Sequence, residues 1–168
     1  MDLPTLHRAV LNSDLAAIRR AIAEGDDVNA RAEGDGRAPI HLAAAFEDVA
    51  ILRALLDAGA EPSIADLAGF TPLHVAVYGR RWDLLDELLR HGANPNAIDA
   101  RKTTPLTLAV SFDRTPDARA VRSLLRAGGD PDLAPPGSSS ARDRVRALAE
   151  GIGTRFPAYV AIMSESGS

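Results

Sequence analysis

The stretch TPLHVAV, residues 71–77, decides how this chain is read. At its centre His74 has a side chain that titrates near neutral pH, so it is either a chemical group or a structural one. The answer lies in its relatives within the same chain. APIHLAA stands at 38–44, TPLTLAV at 104–110, and a degraded copy, PTLHRAV, at 4–10. His7, His41, His74 and Thr107 occupy one place in these copies, at steps of 34, 33 and 33 residues. A second marker keeps the same beat: AEGDDVNA (23–30), DAGAEPSIA (57–65), RHGANPNA (90–97) and RAGGDPDLA (126–134). Its glycines, Gly25, Gly59, Gly92 and Gly128, follow at steps of 34, 33 and 36. Two markers in phase over four copies identify an internal repeat, which outranks any reading of the single motif.

Each copy reads as a pair of short helices. Thr71 is a suitable N-cap, because a hydroxyl can accept a hydrogen bond from an unpaired helix amide. Pro72 suits the first helical position, where its missing N–H is not needed. Leu73 and Ala76 then face neighbouring helices, with alanine permitting close approach. The marker glycine follows a second apolar helical pattern, such as ILRALL or DLLDELL, and is placed to end that helix in a left-handed conformation. NPNAID supplies turn residues after it.

These residues resemble the ankyrin repeat. The family's TPLHxA pattern lies in Thr71 to Ala76, and its LLxxGAxxN pattern in Leu88 to Asn96. The resemblance covers about residues 3–134 and implies an all-α solenoid of stacked helix-turn-helix units with protruding hairpin-like loops. The repeats are expected at about 1–32, 33–65, 66–98 and 99–134, with a C-terminal cap over 135–164. Residues 1–164 then form a single ankyrin-repeat domain, followed by a disordered tail, 165–168. In this family the histidine bonds locally to the threonine and across to the next repeat, so His41, His74 and, more weakly, His7 are assigned structural roles. Geometry agrees: packed helices lie about 8–10 Å apart, whereas a zinc–nitrogen bond is about 2 Å. Three histidines one repeat apart do not share an ion. His91, near a helix C-terminus, is read as a favourable cationic end group.

The copies depart from the pattern in informative ways. Repeat one inverts the order to Pro4-Thr5, as a capping repeat with a wetter face tolerates. Repeat two has Ala38 in place of threonine and is expected to lose that cap. Repeat four has Lys102 at the usual glycine position and three extra residues around Thr115, Pro116 and Asp117. Asp143 falls 36 residues after Thr107, so SARD reads as a degenerate fifth opening rather than part of a linker. Cap helices are expected over 138–150 and about 156–164.

Composition sets the remaining bounds. Cysteine is absent, which removes disulfides and thiolate zinc sites and fits a cytoplasmic location. No basic-then-apolar leader opens the chain, and no apolar run approaches the ~18 residues of a membrane span. The net charge of −4 argues against a nucleic-acid binder. Lys102 is the only lysine among many arginines; with the abundant alanine, this suggests a bacterial, GC-rich source.

No motif here makes an enzyme. GIGTRF, 151–156, has two glycines of a dinucleotide fingerprint but lacks the third and any preceding strand, so it reads as a loop between cap helices. Asp83, Asp86 and Glu87 read as a solvated helix face. No cofactor or metal is implied. Arg142, Arg144, Arg146 and Arg155 make the cap locally basic.

Partners of ankyrin repeats usually contact the loop tips and the exposed side of the first helix. In this chain Phe46, Tyr78 and Phe112 end three successive first helices, and Trp82 follows shortly after. Aromatics and arginine are enriched among interface hot spots. The candidate partner-binding residues are therefore Phe46, Tyr78, Trp82, Phe112, Arg37, Phe70, Arg80, Arg81, Arg101 and Arg114, with Asp35, Leu67 and Lys102 at the loop tips. The expected function is non-catalytic binding of a protein partner with acidic surface groups, through the concave face and the loop tips. An immunity protein that neutralises a bacterial toxin is the favoured role. A scaffold or regulatory adaptor is the alternative, and a host-directed effector a third. The chain alone is expected to be a monomer, with no nucleic-acid or membrane partner.

Overall fold

The pairs of short helices appear where the repeat puts them. The computed structural model describes residues 4–112 and 118–152, with nine helices and no strand among them. The first helices of the repeats are α1 (Thr5–Leu11), α3 (Pro39–Ala45), α5 (Pro72–Tyr78) and α7 (Pro105–Phe112). The second helices are α2 (Leu15–Ala23), α4 (Val49–Asp57), α6 (Trp82–Arg90) and α8 (Ala118–Arg126); α9 (Ala141–Ile152) follows. Arg114, the extra residues Thr115, Pro116 and Asp117, Arg155, the expected second cap helix and the tail lie outside the described residues, as does the side chain of Phe112.

The chain divides into two units, residues 1–94 and 95–168. In the first, α3 packs on α1 and α5, and the second helices form their own row, α2 on α4 and α4 on α6. Ala43 and Ala76, one repeat apart, are almost wholly buried. Their small side chains let the first helices approach closely. Leu52, Leu55, Leu84, Leu85 and Leu88 fill the space between the two rows and are fully or almost fully buried. Each such leucine contributes about 1.5–3 kcal/mol relative to exposure. In the second unit α7 packs on α8 and α9 around Leu106, Val121, Leu124 and Ala141.

Second-helix ends follow the glycine rule. Gly25, Gly59, Gly92 and Gly128 have φ between +81° and +93°. Each donates its N–H to a carbonyl three residues back, and the next residue donates five back, the paired bonds of a Schellman motif. Asp14 and Asp48 start α2 and α4 by accepting hydrogen bonds from Ala17 N–H (2.9 Å) and Ala50 N–H (2.8 Å). At the loop tips Lys102 adopts φ +61°, the left-handed conformation that Gly36 (+72°) and Gly69 (+75°) take at the same place. Its Nζ hydrogen-bonds the Pro136 carbonyl.

The expected hydroxyl caps are made, with Thr107 N–H donating to Thr104 Oγ1 and Asp143 N–H to Ser140 Oγ, both at 3.1 Å. A second bond runs the other way, from the N-cap amide to the side chain three residues on. In α5 the acceptor is the imidazole: Thr71 N–H donates to His74 Nδ1 at 3.2 Å, and the Thr71 hydroxyl lies 2.9 Å from the same nitrogen. Ala38 lacks the hydroxyl and with it the side-chain cap, as expected, but keeps the reverse bond: its N–H donates to His41 Nδ1 at 3.1 Å. Thr104 N–H donates to Thr107 Oγ1 at 2.7 Å, and Ser140 N–H to an Asp143 oxygen at 3.2 Å. His41, His74, Thr107 and Asp143 thus perform one task with three chemistries. The Ser140 hydroxyl and N–H hold the Asp143 carboxyl below the usual range. The fifth opening is therefore in register, and α9 begins at Ala141 rather than 138 because Ser140 is its cap. Gly151 and Ile152 are helical, which corrects the expected loop over the start of GIGTRF.

Repeat one shows the cost of its inverted order. The N-cap of α1 is Pro4, which has no N–H to donate. His7 is fully buried and its Nδ1 has no hydrogen-bond partner.

Candidate functional site

His41, His7 and His74 are structural in the first unit. His7 Nε2 hydrogen-bonds the Arg37 carbonyl at 2.8 Å, and His41 Nε2 the Phe70 carbonyl at 3.0 Å, each reaching the next repeat. Since Nδ1 of His41 accepts from Ala38, the proton must sit on Nε2. Burial holds the His41 pKa below its ordinary value, outweighing the Phe70 carbonyl, which favours the proton. Among the described residues, no group of three or more His, Cys, Asp or Glu side chains is placed to hold a metal ion. Nor is any helix among them long and apolar enough to cross a membrane.

The loop tips are held by their own side chains. Asp66 is buried, and its Oδ1 accepts from Ala68 N–H and Phe70 N–H, both at 2.9 Å. Asp99 does the same for Arg101 and Thr103 in the second unit. Arg37 lies 3.4 Å from Asp66 and 3.5 Å from Asp35, so its charge is engaged within the loops. Phe70 rests on His74, ring centroids 5.2 Å apart. Leu67, by contrast, is 73% exposed. Arg101 is exposed at the tip of the second unit.

The end of α5 gathers most of the remaining candidates. Tyr78 closes the helix with 60% of its surface exposed. Arg80 follows in the left-handed region at φ +57°, exposed. Arg81 precedes α6 and pairs with Glu47, while its Nε is buried without a hydrogen-bond partner. Trp82 opens α6 and is half-buried, as is Phe46 at the end of α3. The first unit therefore brings Phe46, Tyr78, Arg80, Arg81 and Trp82 to the turns that join first and second helices. Phe112 ends the corresponding helix of the second unit.

One residue read as solvated is not. Glu87 is only 2% exposed. It accepts from Arg53 of α4 at 3.0 Å, pairs with Arg90, and lies 3.2 Å from His91 Nε2. The two arginines are themselves more than half exposed, so they cover the carboxylate from outside, near the surface. Hydrogen bonding from Arg53 is the largest influence holding the Glu87 carboxyl below the usual range, against the opposing effect of burial. Arg90 and His91, at i+3 and i+4, were the available sequence signal. Arg53 was not, since it comes from another repeat.

Asparagines form a second set of inter-repeat ties. Asn29 Nδ2 donates to the Gly59 carbonyl at 3.2 Å and Oδ1 accepts from Glu61 N–H at 2.8 Å. Asn96 repeats the clamp on Gly128 (2.8 Å) and Asp130 (2.7 Å) within the second unit. Ser63 stands at the intervening position and accepts a hydrogen bond from Asn94 N–H at 2.8 Å.

Among known families, a model described as ankyrin repeats, in three copies, matches residues 6–99, more than half of the chain. No curated protein matches it. Ankyrin repeats are generally protein–protein interaction modules. On that match, and on helix pairs capped and tied one repeat to the next, the chain belongs to the ankyrin-repeat family.

Proposed function

We propose that the chain is a non-catalytic module that binds a protein partner through the helix-joining turns around Tyr78 and Trp82, together with the loop tips. The observation that carries this reading is Tyr78, an aromatic left 60% exposed beside the exposed Arg80. Aromatic rings supply large contact area with few rotatable bonds, and arginine is the favoured charge at hot spots. Arg80 shares its left-handed conformation with Ser13 at the equivalent turn of repeat one, so the turn itself holds the arginine's backbone in place. A partner with acidic surface groups suits Arg80, Arg81 and the exposed Arg101. Phe46, Phe70, Arg37, Phe112 and Arg114 complete the proposed contact set. Of these, Arg37 and Phe70 already serve the loops, so their share is the smallest.

Capped helices and tied repeats present these groups rigidly, so little ordering entropy is lost on binding. The role we favour is inhibition: an immunity protein that covers a cognate bacterial toxin, acting as a cytoplasmic monomer. Affinity capture from the native organism, followed by mass spectrometry, tests the proposal. The control bait carries Phe46→Ala, Tyr78→Ala, Trp82→Ala and Phe112→Ala and is first shown by circular dichroism to fold. A partner captured by wild type and lost by the variant supports the aromatic surface. If that partner is a toxin, the inhibitory role stands; a partner of another kind assigns a scaffold or adaptor role. A partner held equally by both baits refutes the aromatic surface.

A further inference from the structure

The row of second helices carries a pairing that is complete in one place and half-made in another. Arg19 and Arg53 hold the same position relative to the marker glycines Gly25 and Gly59. Ala54 and Glu87 likewise match one another relative to Gly59 and Gly92. Arg53 reaches from α4 to α6 and meets the Glu87 carboxylate at 3.0 Å. One repeat earlier, Arg19 of α2 has only the methyl group of Ala54 at the equivalent place on α4. Arg19 is exposed and makes no hydrogen bond or ion pair among the described residues. The space left open is a groove of about 530 Å³ between α2 and α4, lined by Arg19, Ile22, Ala50, Arg53, Ala54 and Asp57.

We propose that this groove seats a helical segment of a partner protein, whose carboxylate pairs with Arg19 in the position that Glu87 fills one repeat on. Charge selects the occupant. Arg53 is already engaged by Glu87, so Arg19 is the groove's cation without an ion pair among the described residues. Asp57, on the same groove, stands where α6 has Arg90. It repels a second acid at that end and accepts a base. A segment with glutamate followed three residues later by arginine, as Glu87 and Arg90 stand on α6, meets both demands. Ile22, Ala50 and Ala54 offer apolar surface to the flanking leucines of such a segment. The surface uses none of the residues around Tyr78, so it stands or falls separately from the proposed aromatic surface.

The chain itself supplies the probe: the end-blocked peptide WDLLDELLR, the sequence of residues 82–90. Titrated at millimolar concentration into the full ¹⁵N-labelled chain, it should give saturable amide shifts centred on Arg19, Ile22, Ala50, Ala54 and Asp57. Glutamine in place of the peptide's glutamate, or Arg19→Gln in the protein, should weaken binding about threefold, the scale of one exposed ion pair. Tyr78→Ala should leave the titration unchanged. Ala54→Glu should abolish the shifts by filling the groove from within. It should also raise the thermal midpoint by about one to two degrees, a gain absent when Arg19→Gln is added. The proposal is overturned if millimolar peptide gives no shifts, or shifts away from α2 and α4. It is also overturned if inorganic phosphate reproduces them or if Arg19→Gln leaves the affinity unchanged. A fall in midpoint on Ala54→Glu that is indifferent to Arg19 would refute the pairing geometry.

Discussion

Exchanging Pro4 and Thr5, as Pro4→Thr with Thr5→Pro, would give repeat one the opening that repeat three has at Thr71-Pro72. Pro4 has φ −52° and ψ 151°, extended values close to those of Thr71 at −96° and 166°. A threonine fits there, and an extended residue is what a following proline requires. Proline at the first helical position loses no needed N–H. The exchange supplies the one amide that the buried His7 Nδ1 lacks. A typical buried hydrogen bond contributes about 0.5–1.5 kcal/mol, and an unsatisfied buried acceptor costs about 1–3 kcal/mol. The proline count is unchanged, so the entropy of the unfolded chain largely cancels. The expected gain is about 1 kcal/mol, or about 2–4 °C in thermal midpoint for a chain of this size. Urea denaturation at pH 7.5 measures it, in the wild-type background and with His7→Leu. The gain should vanish in the His7→Leu background, where no acceptor remains. A neutral or destabilising exchange, or an equal gain in both backgrounds, would refute the capping account.

Three further outcomes follow from the ties and the titrating groups. Asn29→Ala removes both bonds of the clamp on Gly59 and Glu61 and should cost about 1–3 kcal/mol, with faster hydrogen exchange at the Glu61 amide; unchanged exchange there would count against the clamp. Glu87 has a folded pKa below its unfolded one, so its stabilisation is present above about pH 4.3 and is lost as pH falls through the folded value. Glu87→Gln should therefore lower stability at pH 7 and flatten the acid limb, which urea midpoints between pH 3 and 7 would show. The buried His41 also has a lowered pKa, so below about pH 6.5 the unfolded chain takes up a proton that the folded one resists. Stability should fall from that point downward, and His41→Gln should reduce this dependence; an equal slope in both proteins would contradict it.

The fold was legible because its determinants repeat. His41, His74 and the marker glycines sit at fixed steps, and each is required locally, by a helix start or by a left-handed helix end. Asp143 was found the same way, by phase, although its chemistry differs from that of histidine. The reverse bond of each cap was not legible, because sequence shows that Thr71 and His74 are neighbours but not that the imidazole accepts the Thr71 amide. At Ala38 the hydroxyl is lost while this reverse bond, to His41 three residues on, is kept. Glu87 was misread for a different reason. Its main partner, Arg53, lies one repeat away, and only packing of α4 on α6 brings the two together. The same holds for Asn29, whose partners are backbone groups of the next loop. At the proposed contact surface, the resemblance to ankyrin repeats supplied the position that Tyr78 fills, and Trp82 follows four residues on. Sequence did not separate the free Leu67 from Arg37, which Asp66 engages at 3.4 Å.

The central claim is that a protein partner binds through the aromatic and arginine groups at the end of α5. Its most direct test is the affinity of the captured partner for wild type and for Tyr78→Ala/Trp82→Ala, measured by isothermal titration calorimetry on folded proteins. Truncating one hot-spot residue costs at least about 2 kcal/mol, and losses at neighbouring hot spots do not add, so the double variant is expected to lose about thirtyfold or more in affinity. An affinity within twofold of wild type would contradict it.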